Sequence, residues 1–168
     1  MKGTSMSIFI LALTTIACGL IAGLFYSYSC SVNPGLKTLT DFGYLSAMQA
    51  INRAILNPVF FCSFIGTLIL LPLSTYFSYT PTPSTRFWLL LSASLLYIIA
   101  VFGVTALGNV PLNDALAKFD LGTATPEQLA KQRALFETSW NAWHALRTWA
   151  SVACFALTAI ACIFNQSK

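Results

Sequence analysis

The chain has 168 residues, of which 57% are hydrophobic and only 8% charged. A soluble domain carries about a quarter charged residues, so this one lacks the polar groups to cover a water-facing surface. Its formal charge of +4 is the excess of nine basic over five acidic side chains, too few for the basic stripe of a nucleic-acid-binding surface. What remains is a single all-α domain embedded in a bilayer.

A helix needs about 20 mostly apolar residues to cross the hydrocarbon core. The first such run covers residues 7–29 and carries no charge. It is too long for a signal-peptide core, and no small-residue cleavage pattern closes it, so it reads as a retained span. Gly19 and Gly23 within it form GxxxG, a spacing that lets helix backbones approach closely. Asn33-Pro34-Gly35 then reads as a turn that ends the helix. The second span, about 55–79, opens through Asn57-Pro58, and Pro72 should kink it. The third, about 87–107, follows a short Pro-rich turn, TPTPSTR. Before the fourth span, about 146–164, Thr125-Pro126-Glu127 has the form of a helix start. From there Leu129, Leu135, Phe136, Trp140, Trp143 and Leu146 recur at helical spacing. The simplest picture is one long helix, amphipathic outside the membrane, that enters it around 143–149, where aromatic residues suit the interfacial depth. The expected fold is an integral membrane four-helix bundle with an added amphipathic helical segment between spans three and four.

With four spans, the long connections 30–54 and 108–145 share one membrane side, while both termini and the Pro-rich turn share the other. The first side carries Lys37, Arg53, Lys118, Lys131, Arg133 and Arg147; the second carries Lys2, Arg86 and Lys168. The positive-inside rule would put the long connections in the cytoplasm. Yet all five acids lie there too, and those segments are much longer, so orientation stays open. The five cysteines, Cys18, Cys30, Cys62, Cys154 and Cys162, form no CxxC or ligand spacing and read as small apolar packing residues. No metal site is expected, and His144, the only histidine, could supply a haem with one axial ligand at most.

Polar residues at the span ends are the informative ones, because polar groups near a bilayer core are expensive and tend to mark sites. Gln49, Asn52 and Arg53 share one helix face, and Trp140, His144 and Arg147 share another, with Trp143 beside them. Asn109 and Asn113 flank Pro111 at the exit of span three. In the topology above these groups gather at one membrane face, where they could form a polar pocket walled by aromatic rings. Plainer roles stand beside that one: helix capping for the asparagines, snorkelling for the arginines, interfacial anchoring for the tryptophans.

The stretches AMQAINRAILNPVF, GNVPLNDAL and WNAWHALRTWAS resemble the anthrone oxygenase-like family of small four-span membrane proteins. The resemblance runs over nearly the whole chain. Fungal and actinobacterial members are associated with oxidising anthrones to anthraquinones without a metal or organic cofactor, while most bacterial members have no assigned activity. The resemblance therefore implies no cofactor, a lipophilic phenolic or anthrone-like substrate, and a bacterial inner membrane as the location. Such chemistry needs a base, donors for an oxyanion and an aromatic cavity. His144 suits the base and Arg147 the anion stabiliser. Gln49, Asn52, Arg53, Asn109 and Asn113 are candidates to hold polar substrate atoms, and Trp140 and Trp143 to stack on its rings. A second reading stays open: a non-enzymatic four-helix protein that binds a lipid or small lipophile, or assembles with partners or further copies of itself. A transporter is a third, with little in the sequence to build a translocation path.

Overall fold

The computed structural model describes the backbone of residues 2–164 and the side chains from Met6 onward; Lys168 and the side chain of Lys2, both used in weighing orientation, lie outside this range. Within it the secondary structure is helix joined by short turns, with no strand among the described residues. The first rod is α1 (Lys2–Ser27), a π-helical segment at Tyr28–Val32 and α2 (Asn33–Lys37). A short helix, α3 (Asp41–Ala54), lies over one end of the bundle and leads to α4 (Pro58–Phe77). The next rod joins α5 (Thr85–Leu96), π-helical turns at Tyr97–Gly103 and Thr105–Asn109, and α6 (Val110–Ala117). Last comes α7 (Pro126–Ile163), a single helix of 38 residues. At 1.5 Å per residue it is about 57 Å long, nearly twice the ~30 Å hydrocarbon core. Among the described residues four helical stretches are long and apolar enough to cross a membrane: Met6–Lys37, Pro58–Phe77, Thr85–Ala117 and Pro126–Ile163.

Side-chain caps set the helix starts. Asn57 accepts from the Phe60 amide, and Ser84 from the Phe87 amide. Thr125 and Gln128 form a reciprocal capping box, with Pro126 in the first turn. The amphipathic segment before span four is thus the first half of α7.

Asn33-Pro34-Gly35 does not end a helix; the chain continues helically to Lys37. Proline has no N–H and crowds the carbonyl four residues back, which for Pro34 is that of Cys30. The chain answers by widening: the Asn33 N–H bonds the Tyr28 carbonyl, five residues back. The same happens before Pro111, where the Val110 N–H reaches Thr105 O. The GxxxG pair makes no close backbone contact either. A Cβ on Gly19 would meet the Phe155 ring at 3.1 Å, and one on Gly23 would meet nothing within 4 Å.

Among the described residues the bundle holds two main apolar cores and a small third cluster of Leu11, Leu90 and Ala161. One lies between the spans, around Ile21, Phe25, Leu71, Tyr97 and Cys154. Hydroxyl pairs lace it together: Thr14 Oγ1 and Ser74 Oγ are 2.6 Å apart, and Tyr97 donates to the Phe64 carbonyl at 2.8 Å. The other core, around Leu45, Met48, Leu116 and Phe136, joins α3 and α6 to the first half of α7. Trp140 and Tyr28 stand on the boundary between the two. Trp88, Trp143 and Trp149 lie on the outside.

Candidate functional site

Below the second core, α7 carries Trp140, His144 and Arg147 down one face. His144 is 2% exposed, with its ring stacked on Trp140 at 4.9 Å between centroids. Tyr28 and Phe25 meet the imidazole edge-on. Its Nδ1 lies 3.2 Å from both Nε and Nη2 of Arg147. A guanidinium only donates, so Nδ1 is the acceptor and the ring proton belongs on Nε2. That nitrogen faces Ser29 Oγ at 3.0 Å and Thr148 Oγ1 at 3.4 Å. The geometry therefore specifies one neutral tautomer.

Arg147 is buried as well, at 8% exposure. Its guanidinium carbon lies 4.4 Å from the centre of the Phe25 ring and 5.3 Å from that of Trp140, and Nη1 donates to Thr105 Oγ1 at 3.3 Å. No carboxylate pairs with it; among the described residues both ion pairs belong to Arg133. Buried charges are normally paired, so an unpaired cation at this depth calls for a counter-charge from elsewhere. The guanidinium also has more N–H groups than these contacts use.

Both residues line a cavity of about 150 Å³ walled by Phe25, Tyr28, Phe60, Phe64 and Trp140. Asn52 lines it too, and its buried Nδ2 has no hydrogen-bond partner within the protein. No acidic side chain faces the cavity. The wall is aromatic, with spare donors from Arg147 and Asn52 on one side: a surface shaped for a flat molecule bearing an oxyanion or a strongly polarised carbonyl.

The candidates read from the sequence divide clearly by position. Trp140, His144, Arg147, Asn52 and Asn113 line the cavity. Asn113 also accepts the Trp140 indole N–H at 2.8 Å, fixing that ring. Asn109, 1% exposed, stands behind the wall and donates to the Trp140 carbonyl. Gln49 points away and donates to the Leu116 and Phe119 carbonyls, tying α3 to α6. Arg53 is exposed. Trp143 packs flat on Gly108, outside the cavity. Residues the sequence did not single out complete the site: Phe25, Tyr28, Ser29, Thr105 and Thr148. Three of these, Tyr28, Ser29 and Thr105, come from the π-helical turns that precede Pro34 and Pro111, and π turns within α-helices recur at functional sites.

The family model of the anthrone oxygenases matches residues 48–157, a stretch that holds Asn52, Asn113, Trp140, His144 and Arg147. No curated protein and no solved structure matches the chain. Four membrane-spanning helices and a family match over more than half the sequence make this chain a member of the anthrone oxygenase family.

Proposed function

We propose that the protein oxidises a lipophilic phenolic or anthrone-like molecule with O₂, using only its own side chains, in a bacterial inner membrane. The observation that carries this reading is Arg147: a buried cation with no acidic partner, turned with spare donors toward an aromatic cavity beside the only histidine.

The steps follow from the contacts. A substrate carbonyl takes the free N–H groups of Arg147, and Asn52 Nδ2 supplies a further donor. As the guanidinium shifts onto this oxygen it releases Nδ1 of His144, whose lone pair then takes a proton from the ring methylene opposite the carbonyl. The resulting enolate, with its charge spread onto the oxygen held by Arg147, gives electrons to O₂, and a carbon–oxygen bond forms. The imidazolium returns its proton to the outer peroxide oxygen. The hydroperoxide then loses water together with the second methylene hydrogen, leaving a carbonyl. One methylene and one O₂ become one quinone carbonyl and one water.

Purified protein in liposomes, given anthrone under air, tests this by the absorbance of the quinone. Wild type should exceed protein-free liposomes, and His144→Ala should lose about 10²–10⁴-fold, the usual contribution of a general base. Equal rates for the two proteins eliminate the base role; a wild-type rate no higher than that of empty liposomes eliminates the oxygenase. A non-enzymatic binder of the same lipophile is favoured by one observation, that Nδ1 is already engaged by Arg147. It predicts saturable binding with no quinone formed.

A further inference from the structure

A second cavity of about 260 Å³ flanks the first, between α1 and α4 near the start of α4, and the two share Leu24, Ile55 and Phe60. Its outer rim is formed by Leu20 and Val59, 58% and 79% exposed, on stretches that span the membrane, so this exposure is to lipid. Gly23 lies on the same face of α1 and leaves space beside them, since a Cβ there would touch nothing within 4 Å. No charged side chain lines this groove, and its two polar residues are turned to backbone: Asn57 caps α4, and Ser63 donates to the Val59 carbonyl. On the extramembrane side the pocket is lined by Ile51, Asn52, Leu56, Val110 and Asn113, beneath the second core, whose Leu45, Met48 and Leu116 are at 0% exposure. At the junction of the two cavities Phe60, stacked on Phe64 at 5.1 Å, can act as a swinging partition.

We propose that the groove between α1 and α4 is a lateral portal through which a flat, uncharged aromatic molecule passes from the bilayer into the pocket; this rests on the pocket being a binding site for such a molecule. Selection is then sequential. The groove admits only what dissolves in lipid and carries no charge, and negative charge develops only after the molecule has reached Arg147. Sulfonated or sugar-bearing relatives of the same ring system are turned away before they meet the site.

The test uses 9,10-anthraquinone, which has no methylene to oxidise, so binding is read apart from turnover. Full-length protein in liposomes is followed by quenching of its tryptophan fluorescence after rapid mixing with anthraquinone-loaded vesicles. Ser63→Phe, which fills the groove without touching the pocket, should slow association about tenfold, well within the range over which association rates vary among variants, and leave the final extent of quenching unchanged. Leu20→Phe narrows the same groove from α1 and should do likewise if Ser63→Phe folds poorly. Ile69→Phe, on the lipid face of α4 away from both cavities, should match wild type. Anthraquinone-2-sulfonate supplied from water should not quench. Unchanged association in both groove variants, equal quenching by the sulfonate, or no quenching of wild type by anthraquinone overturns the portal. Slowed association in a protein that makes no quinone from anthrone would retain the portal and remove the oxygenase reading; fast turnover with unslowed groove variants would do the reverse.

Discussion

Arg147 is the residue whose surroundings make least sense as architecture. Desolvating a cation costs several kcal/mol, and the structure offers it two aromatic faces, a hydroxyl and an imidazole nitrogen but no carboxylate. Had Arg147 been half of a buried salt bridge, deleting it would cost about 3–5 kcal/mol. Here Arg147→Met relieves an unpaired buried charge and takes the donor from His144 Nδ1 and from Thr105 Oγ1, the latter still bonded to the Val101 carbonyl, so the penalty falls mainly on Nδ1, about 1–3 kcal/mol. The two effects oppose each other, so thermal unfolding in detergent should shift by less than about 2 kcal/mol. Turnover of anthrone should fall by about 10²–10³, as when one oxyanion donor is removed. A variant that loses more than about 3 kcal/mol of stability would show that Arg147 is structural after all. Lysine is a poor substitute, because a point charge cannot reach His144 and Thr105 together as the planar fork does.

At the level of elements, Gly108 shows how the third rod is fitted to α7. A Cβ at this position would lie 2.7 Å from the indole of Trp143, closer than side chains tolerate. Gly108→Ala should therefore cost about 1–3 kcal/mol, the range for overpacking. Gly23→Ala, with nothing to collide with, should be neutral or gain up to about 1 kcal/mol from helix propensity. Denaturant unfolding of the two variants in one detergent measures the contrast, and equal effects would mean that Trp143 simply swings aside. The four spans were readable because hydropathy reports burial in lipid directly. The face made by Trp140, His144 and Arg147 was readable because helical spacing alone puts those residues together. What could not be read is what the prolines do. A proline after an apolar run has the same sequence signature whether the helix stops or widens to five-residue spacing, and Pro34 and Pro111 do the latter. That widening brings Tyr28, Ser29 and Thr105 to the site, so none of them stood out. Gln49, Asn52 and Arg53 share a face in projection, yet small rotations about the α3 axis decide the outcome: Asn52 lines the cavity, Gln49 is tied to α6 and Arg53 is left exposed.

Considered whole, the molecule is a membrane bundle with a separate apolar roof, and the chemistry proposed for it depends on the roof staying shut. An anion held by a lone guanidinium gains far more in a dry site than in a wet one. One side chain on α7 fastens the roof. Arg133 bonds Glu137 at 2.8 Å and Asp41 at 3.1 Å, donates to the carbonyls of Leu39 and Lys37, and lies 4.6 Å from the centre of the Tyr44 ring. Burial, with Glu137 close by, holds the Tyr44 hydroxyl well above the usual tyrosine range, so the ring under the cation stays neutral. An isolated exposed ion pair is worth about 0–1 kcal/mol, but this arginine is mostly buried and engages two acids, two carbonyls and a ring at once. Arg133→Ala should therefore weaken the docking of α3 by about 1–2 kcal/mol, which corresponds to about 5–30-fold more frequent local opening. Amide hydrogen exchange in α3 should speed up by that factor in the variant, while the spans exchange as in wild type. Anthrone turnover should fall with it, because water admitted through the opened roof screens Arg147. If α3 exchanges faster and turnover holds, the roof is only a cover, and the dryness of the pocket is secured by the spans alone.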